Sequence, residues 1–311
     1  MKIRSLLLTA LCAVAGFASA VSAAPGDVKF APAEADLIIR IDGARIVKNQ
    51  VFQKLRALPE FQKFDQDAQK ELAPYDLTLD DLLKTEICVF ADVNNFNAER
   101  PAIEMLSRTS KPLAKKMFAL IDRKSVEKKD KTAIKSATIG GKDARVVNEE
   151  GMSIAVIALD NDLIQLSLNA AAPTALTKQG NAELCAIIDS DAMISIAYRM
   201  DAAAAKALLA KTPQDIHPFI DGLIAASVNV VDGGSEIKFR AELAYAVKEK
   251  ADGVRQMFSG LLEVTKAQAA QENPELAATL KRVSISGSGN KVIASFTCDN
   301  EEAFKQLKSA F

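Results

Sequence analysis

The feature that constrains the fold most is a short pattern that occurs twice in the 311-residue chain. Arg40-Ile41-Asp42-Gly43-Ala44 closes one apolar run and opens a helix-like stretch, and Arg199-Met200-Asp201-Ala202-Ala203 does the same farther on. Midway along a later predicted helix of each part, Met117-Phe118 matches Met257-Phe258. The pattern predicts an internal duplication, which constrains the fold far more than the chemistry.

Each part reads strand, helix, two strands, helix and strand. In the first part, the β-type run Leu37–Ile41 precedes apolar residues at helical spacing. In the second, Ile194–Tyr198 precedes an alanine-rich stretch that Asp201 can cap. This βαββαβ order predicts an α+β fold of two tandem ferredoxin-like units, with antiparallel sheets and helices packed on one face. The pattern leaves open whether the two sheets pack together or continue edge to edge.

Local signals predict where several elements begin and end. Thr78-Leu79-Asp80-Asp81 is typical of a capping box, and Asn169 and Asn273-Pro274 are each predicted to start a helix. Gly140-Gly141 and Asp232-Gly233-Gly234 separate β-rich arms, which predicts hairpins. The Gly140-Gly141 hairpin is an addition that only the first unit contains.

The first 23 residues have the order of a secretory signal. A basic start precedes the apolar segment Ser5–Phe17, and small residues allow cleavage after Ala20 or Ala23. An uncleaved membrane anchor is the alternative. We expect export, periplasmic or secreted, and no stable membrane span once the signal is removed. The predicted divisions are the signal peptide (1–23), the first α+β repeat with its extra hairpin (24–180) and the second α+β repeat (181–311).

Composition and cysteine usage fit an exported globular protein. The chain is 49% hydrophobic and 25% charged, without low-complexity tracts. Cys88, Cys185 and Cys298 remain after signal removal, and none forms a C-x-x-C pair. They allow one disulfide with one free thiol, or three reduced and buried thiols. The sequence does not decide between these two states.

Three short motifs carry a family resemblance. Residues 30–36 lead into the first strand with an acidic, alanine-rich phrase that contains a proline. Asp80-Asp81-Leu82-Leu83 precedes the next strand, and Gly140-Gly141-Lys142 turns a hairpin. In these features the chain resembles uncharacterised secreted bacterial proteins. The resemblance implies no established activity, so it assigns no catalytic residue.

The residues offer little support for catalysis. His217 is the single histidine of the chain, in a proline-bounded stretch beside Asp215, and a role as general base is the alternative to a surface position. Zinc-type spacing and serine-nucleophile motifs are absent from the sequence. The sequence therefore predicts no catalytic, cofactor-binding or metal-binding residue, and it favours a protein that is not an enzyme.

Charge is unevenly distributed along the chain. Residues 108–145 contain twelve basic and four acidic residues, a local net charge of +8. We expect this segment to attract an anionic partner, namely an acidic protein, a glycan or a lipid headgroup; a solvated helix face is the alternative. Aromatic residues are sparse there, which argues against nucleic acid. The predicted contact residues are Lys115, Lys116, Arg123, Lys124, Lys128, Lys129 and Lys131.

These observations favour a non-catalytic binding or scaffold protein of unknown ligand. One alternative is a carrier of an apolar small molecule between helices and sheet, which a deep apolar cavity would support. A second alternative is a hydrolase, which would require His217, Asp215 and a serine to converge.

Overall fold

The computed structural model of the protein describes residues 27–94, 102–109, 111–127, 134–149, 152–169, 172–178 and 181–308. The predicted signal peptide lies outside the described residues. The strands are β1 (Leu37–Asp42), β2 (Glu86–Ala91), β3 (Ile103–Arg108), β4 (Lys135–Ile139), β5 (Lys142–Glu149), β6 (Met152–Ala158), β7 (Leu163–Leu168), β8 (Ile194–Arg199), β9 (Leu223–Asp232), β10 (Glu236–Tyr245), β11 (Val283–Ser288) and β12 (Lys291–Asp299).

Helices and single turns connect these strands. The α-helices are α1 (Gly43–Lys48), α2 (Gln50–Arg56), α3 (Pro59–Leu72), α4 (Leu79–Leu83), α5 (Ala114–Glu127), α6 (Ala182–Cys185), α7 (Ala202–Lys211), α8 (His217–Ile220), α9 (Lys248–Glu272), α10 (Pro274–Leu280) and α11 (Asn300–Lys308). Val28–Phe30 and Ala73–Tyr75 form 3-10 turns. Within the described part of the chain, no helix is long and apolar enough to cross a lipid bilayer.

The described strands form one antiparallel sheet in the order β11-β12-β10-β9-β8-β1-β2-β3-β7-β6-β5-β4. The fold is therefore α+β with a large antiparallel sheet. We call residues 27–178 the first half and residues 181–308 the second half. The two halves meet where β1 pairs with β8, with Ile38 opposite Ala197. The sheets thus continue edge to edge, which the sequence pattern had left open.

The strand order differs from the predicted ferredoxin-like arrangement. A split βαβ unit would place another strand between β1 and β2. Here β1 pairs directly with β2, from Leu37 opposite Ala91 to Asp42 opposite Glu86. The helices between these strands return the chain beside β1, and a buried ion pair between Arg40 and Glu86 joins the two neighbours. The order of the strands and of the helices between them was predicted correctly, whereas the strand pairing was not.

Side-chain caps explain why most helices begin where they do. Asp42 accepts a hydrogen bond from the Arg45 amide at 3.2 Å, and Asp201 accepts one from the Ala204 amide at 2.7 Å. Thr78 forms the predicted capping box with its acidic partner three residues later, and Asn273 caps α10. These predicted caps are confirmed, because each satisfies amide groups that a helix start leaves without partners.

The helix predicted after Asn169 is wrong. Asn169 has a φ of +60° at the end of β7, and residues 172–178 contain no helix. Asparagine tolerates the left-handed region because its short side chain can bond locally, so it serves equally at a turn.

The sheet has one face that carries most helices and one that carries few. The helical face, on which Ile39 and Ile196 lie, packs against α1–α5, α7–α9 and α11. The opposite face packs against α6 and the 3-10 turn Val28–Phe30, around Ile38 and Cys88. Helices therefore lie mainly, but not solely, on the one face that was expected to carry them.

Candidate binding surface

The predicted basic surface is only partly described. Lys115 is exposed on α5, whereas the Lys116 Nζ atom lies 2.7 Å from Asp76 Oδ2. The Arg123 guanidinium lies over the ring of Tyr75, 5.8 Å from its centroid. The remaining predicted contact residues lie outside the residues whose side chains the structure describes; they are Lys124, Lys128, Lys129 and Lys131.

Carboxylates neutralise several cations of the 108–145 segment. Arg145 lies 2.7 Å from Asp122, and this hydrogen bond holds the pKa of the carboxyl below its usual value. Arg108 lies 2.6 Å from Asp27 and 2.8 Å from Asp162. Asp27 and Asp162 lie outside the segment, so counting charge along the sequence overestimates the local field.

The histidine does not form a catalytic arrangement within the described residues. His217 is half-buried at the start of α8, and its Nε2 atom lies 3.1 Å from the Thr212 carbonyl oxygen. No hydrogen bond joins this ring to Asp215 or to a serine in that part of the chain. The described residues likewise contain no group of three histidine, cysteine or acidic side chains that could hold a metal ion.

The three described cysteines are free thiols. Cys88 and Cys298 are buried, and Cys185 is half-buried with its Sγ atom 3.1 Å from the Val28 carbonyl oxygen. Burial raises the pKa of the Cys88 thiol well above its usual value. A protonated, buried thiol is a poor nucleophile, so Cys88 acts as a small apolar core residue.

A buried polar cluster lies on the opposite face where the two halves meet. Arg40 is the largest fully buried side chain, at 1% exposure. Its Nε atom donates to Glu86 Oε1 at 2.6 Å, and a terminal nitrogen donates to Asp42 Oδ2 at 3.0 Å. The other terminal nitrogen lies 3.2 Å from the Ala192 carbonyl oxygen, just before β8. One arginine thus connects β1, β2 and the entry to the second half.

Burial dominates the electrostatics of this cluster. Desolvation raises the pKa of Glu86 to about 7, although the neighbouring Arg40 cation opposes the shift. Its second oxygen, Oε2, is buried without a hydrogen-bond partner among the described residues. A buried ion pair of this kind fixes the strand register more reliably than it adds stability. We interpret the cluster as a structural connection rather than a reactive site.

An apolar row on the helical face of the second half is open to solvent. The register places Ile196, Val228, Ala241 and Ala294 side by side on β8, β9, β10 and β12. Val228 is 43% exposed, and the other three are half-buried. We call these four residues the open row. Contiguous exposed apolar surface often marks an interaction site.

Rows that are mostly covered by helices flank the open row on both sides; the exception is Phe239, which lies between Val230 and Phe296 and is 37% exposed. On one side, Ile194, Val230 and Phe296 pack against α2 and α11. On the other, Leu243 and Val292 pack against α9. Because successive side chains on one face are about 7 Å apart along a strand, the two covered rows are about 14 Å apart. The open row is therefore the floor of a groove whose walls are helices.

A pocket of about 470 Å³ lies on the opposite face of the same strands. Its floor contains Ala225 and Ala244, and its rim carries two ion pairs: Arg199 with Glu183 at 3.0 Å, and Lys291 with a neighbouring glutamate at 3.2 Å. All four charged groups already have partners. A charged ligand would therefore have to compete with these ion pairs for the rim.

The sequence patterns predicted neither the buried cluster nor the open row. An arginine between isoleucines at an inward position, Ile39-Arg40-Ile41, is a signal for a buried ion pair that the sequence contains. The open row has no such signal. Its residues come from four strands, and their alignment depends on register, which only the folded sheet determines.

Comparisons with known proteins find only a weak structural likeness. No family model matches the chain, and no curated protein matches it. Crystal forms I, IV and III of TP0453 align with 92%, 90% and 92% of this chain and with 97%, 95% and 98% of theirs. The sequence identities are 11%, 11% and 10%, and the TM-scores are 0.42, 0.45 and 0.44. At these values the likeness is weak, and no residue role is transferred.

Proposed function

We propose that the protein is a non-catalytic, exported binding protein and that the open row is its ligand-binding surface. The single observation that carries this proposal is the solvent-exposed row between two helix-covered rows. Val228 lies at its centre with 43% of its surface exposed. Among the alternatives, a carrier of an apolar ligand between helices and sheet agrees best with this geometry.

The shape of the open row favours a chain-like apolar ligand. Strands lie about 4.8 Å apart, so the four residues extend for about 14 Å. Half-buried Ile39 on β1 lies directly opposite Ile196 and lengthens the floor to about 19 Å. The two alanines have the shortest side chains of the row, so the groove is deeper at their end. A single acyl chain lying across the strands would cover these side chains and contact both helical walls.

Binding of a pyrene-labelled fatty acid tests this proposal. Val228→Glu places a charge at the centre of the floor, and a charge next to an acyl chain must lose water without gaining a partner. We expect the variant to bind at least about tenfold more weakly than wild type, a difference of about 1.4 kcal/mol. Fluorescence titration at constant salt measures both affinities.

Val231→Glu is the matched control, because Val231 lies on the same strand but on the opposite face, directly beside Lys238. It introduces the same charge while leaving the open row unchanged, so we expect wild-type affinity. Equal affinities for Val228→Glu and Val231→Glu would show that the ligand does not bind on the open row. Absence of binding to wild type would contradict the carrier function itself.

We also infer that the two halves descend from one duplicated unit, divided near residue 180. Three observations support this inference. From the central β1–β8 pair, both directions begin with the same kind of antiparallel succession, β1-β2-β3 and β8-β9-β10. Arg40 and Arg199 lie in these two central strands. Asp42 and Asp201 cap the following helices in the same way, each through the amide three residues later.

Contact with an anionic partner through the 108–145 segment is a second proposal. Exposed Lys135 and Lys142 on the β4–β5 hairpin, together with exposed Lys115, favour it. Reversing Lys115, Lys116, Lys128 and Lys129 to Glu should abolish low-salt binding to vesicles that contain anionic lipid, because the reversed charges repel the lipid. Binding by wild type should weaken as salt rises, since exposed charges act only within a Debye length of about 8 Å at physiological salt. Equal binding by wild type and this variant would show that the segment is only a solvated surface.

A further inference from the structure

The two edges of the sheet differ in how they are protected. β4, at one end, carries exposed Lys135, and a lysine on an edge strand opposes pairing with another chain. β11, at the other end, has the sequence Val-Ser-Ile-Ser-Gly-Ser, without a charged residue or a proline. Ser284, Ser286 and Ser288 are exposed. By these criteria β11 is an unprotected edge.

The turn after β11 determines which backbone groups point outward. Gly289 and Asn290 form a two-residue hairpin turn, with Gly289 at a φ of +60°. Such a turn makes the flanking residues, Ser288 and Lys291, a hydrogen-bonded pair. Along an antiparallel ladder, hydrogen-bonded pairs alternate with pairs whose backbone groups point away from the partner strand. The amides of Ile285 and Gly287 therefore point away from β12, toward the open edge.

Helix α9 packs on the helical face beside this edge. Ala251, Val254 and Phe258 pack in the cluster that contains Ile285 and Val292, so the first turns of α9 cross β12 and β11. The helix has 25 residues, about 37 Å. Its next turns carry Leu261 and Val264, which are 56% and 57% exposed. Together with exposed Met257 they form one stripe, because residues four and three apart share a helix face.

We propose that β11 is a homodimer interface, in which the β11 strands of two copies pair antiparallel about a two-fold axis. Two identical antiparallel strands are self-complementary, as a two-fold interface requires. The stripe of Met257, Leu261 and Val264 on each copy then covers the joined edges from the helical face. The exposed serines meet across the junction without like charges. An uncharged edge strand and an exposed apolar helix stripe beside it, on the same chain, match a second copy of that chain better than an unrelated peptide.

Sedimentation velocity of the signal-free protein tests this interface. We expect wild type to sediment as a dimer. Ser286→Lys should give a monomer, because the two-fold axis brings the two introduced lysines close together across the junction. Thr138→Lys is the matched control, since Thr138 is exposed on the opposite edge strand β4; it should remain dimeric. Unchanged far-ultraviolet circular dichroism excludes unfolding as the cause.

The double variant Leu261→Lys, Val264→Lys provides an independent test at positions where folding tolerates charge, because both side chains are exposed. It should also weaken dimerisation. A wild-type monomer at every attainable concentration would overturn the proposal. So would Ser286→Lys and Thr138→Lys proteins that sediment alike, or a wild-type protein that stays monomeric while its β11 edge binds an unrelated extended peptide. Fatty-acid binding to the open row is measured separately and does not affect this outcome.

Discussion

The two halves of the sheet bury their strands to different extents. In the first half, all six residues of β7 are buried. On the helical face Ile164 packs with helices, and Leu166 and Leu168 pack with neighbouring strands. The 3-10 turn Val28–Phe30 and residues 172–178, which include Leu176, lie on the other face. In the second half, buried and more exposed residues alternate along much of β9. The same row of side chains crosses both halves: Leu166 and Met105 are buried, whereas Val228 is 43% exposed.

This difference extends to the whole surface of the described residues. Every exposed large apolar side chain except Phe64 belongs to the second half; the others are Ile216, Ile224, Val228, Phe239, Val247, Met257, Leu261, Val264, Leu276 and Leu307. A single sheet thus combines a closed half, which contributes most of the core, with a half whose apolar surface is incompletely covered. We infer that stability resides mainly in the first half and binding in the second.

The largest expected difference between the halves concerns the two arginines that are equivalent under the proposed duplication. Arg40→Leu leaves Glu86 and Asp42 buried without their cation, which should lower the free energy of unfolding by about 3–5 kcal/mol. Arg199→Leu breaks a pair whose partner, Glu183, is largely exposed, so its effect should be less than about 1 kcal/mol. Urea denaturation monitored by circular dichroism measures both. Equal losses would contradict the assignment of stability to the first half.

The row of side chains that crosses both halves gives the next largest expected effect on stability. Met105→Ala removes a buried side chain and leaves a cavity, so it should destabilise the protein by about 2–5 kcal/mol. Val228→Ala removes smaller and partly hydrated groups, and its effect should be about 1 kcal/mol or less. Thermal and urea denaturation of the two variants provide the comparison. A larger loss at Val228 than at Met105 would mean that the open row is covered in solution.

The buried cluster should also give stability a characteristic pH dependence. The pKa of Glu86 is about 7 in the folded protein and near 4.5 when the chain unfolds. Between these values the folded state keeps a proton that the unfolded state has lost, so stability falls as pH rises. Glu86→Gln removes this contribution. The stability difference between wild type and variant should change between about pH 4.5 and 7, and a constant difference in that window would contradict the raised pKa.

The smallest effect concerns the cap of the second half. Asp201→Ala removes one hydrogen bond to the Ala204 amide and should lower stability by about 1 kcal/mol. Asp42→Ala should have a larger effect, because Asp42 is fully buried and also contacts Arg40 and Arg45. If both substitutions have equal effects on urea denaturation, the ion pairs of Asp42 contribute nothing beyond its cap.

The sequence predicted the elements well because short-range chemistry determines them. Caps at Asp42, Thr78 and Asn273 satisfy nearby amides, and glycines such as Gly289 supply the positive φ that tight turns require. Asn169 was the exception, since its side chain suits a left-handed turn as well as a cap.

Strand order and the binding surface were not predictable in this way. The pairing of β1 with both β2 and β8 joins residues far apart in the chain, and no local signal specifies it. Exposure of Val228 depends on where helices from other parts of the chain pack, although its sequence context resembles that of a buried strand residue. The basic segment illustrates the same limit, because Asp27 and Asp76 approach it only in the folded protein.

Photo-cross-linking with a diazirine-labelled fatty acid tests the central claim most directly, because it locates the bound chain on individual residues. We predict that mass spectrometry will find adducts on the open row, foremost on Ile196, Val228 and Ala241, and that Val228→Glu will remove them. Adducts concentrated on the opposite face of the same strands, at Ser227 or Glu242, or on the first half, would contradict the claim that the second half leaves its helical face open for binding.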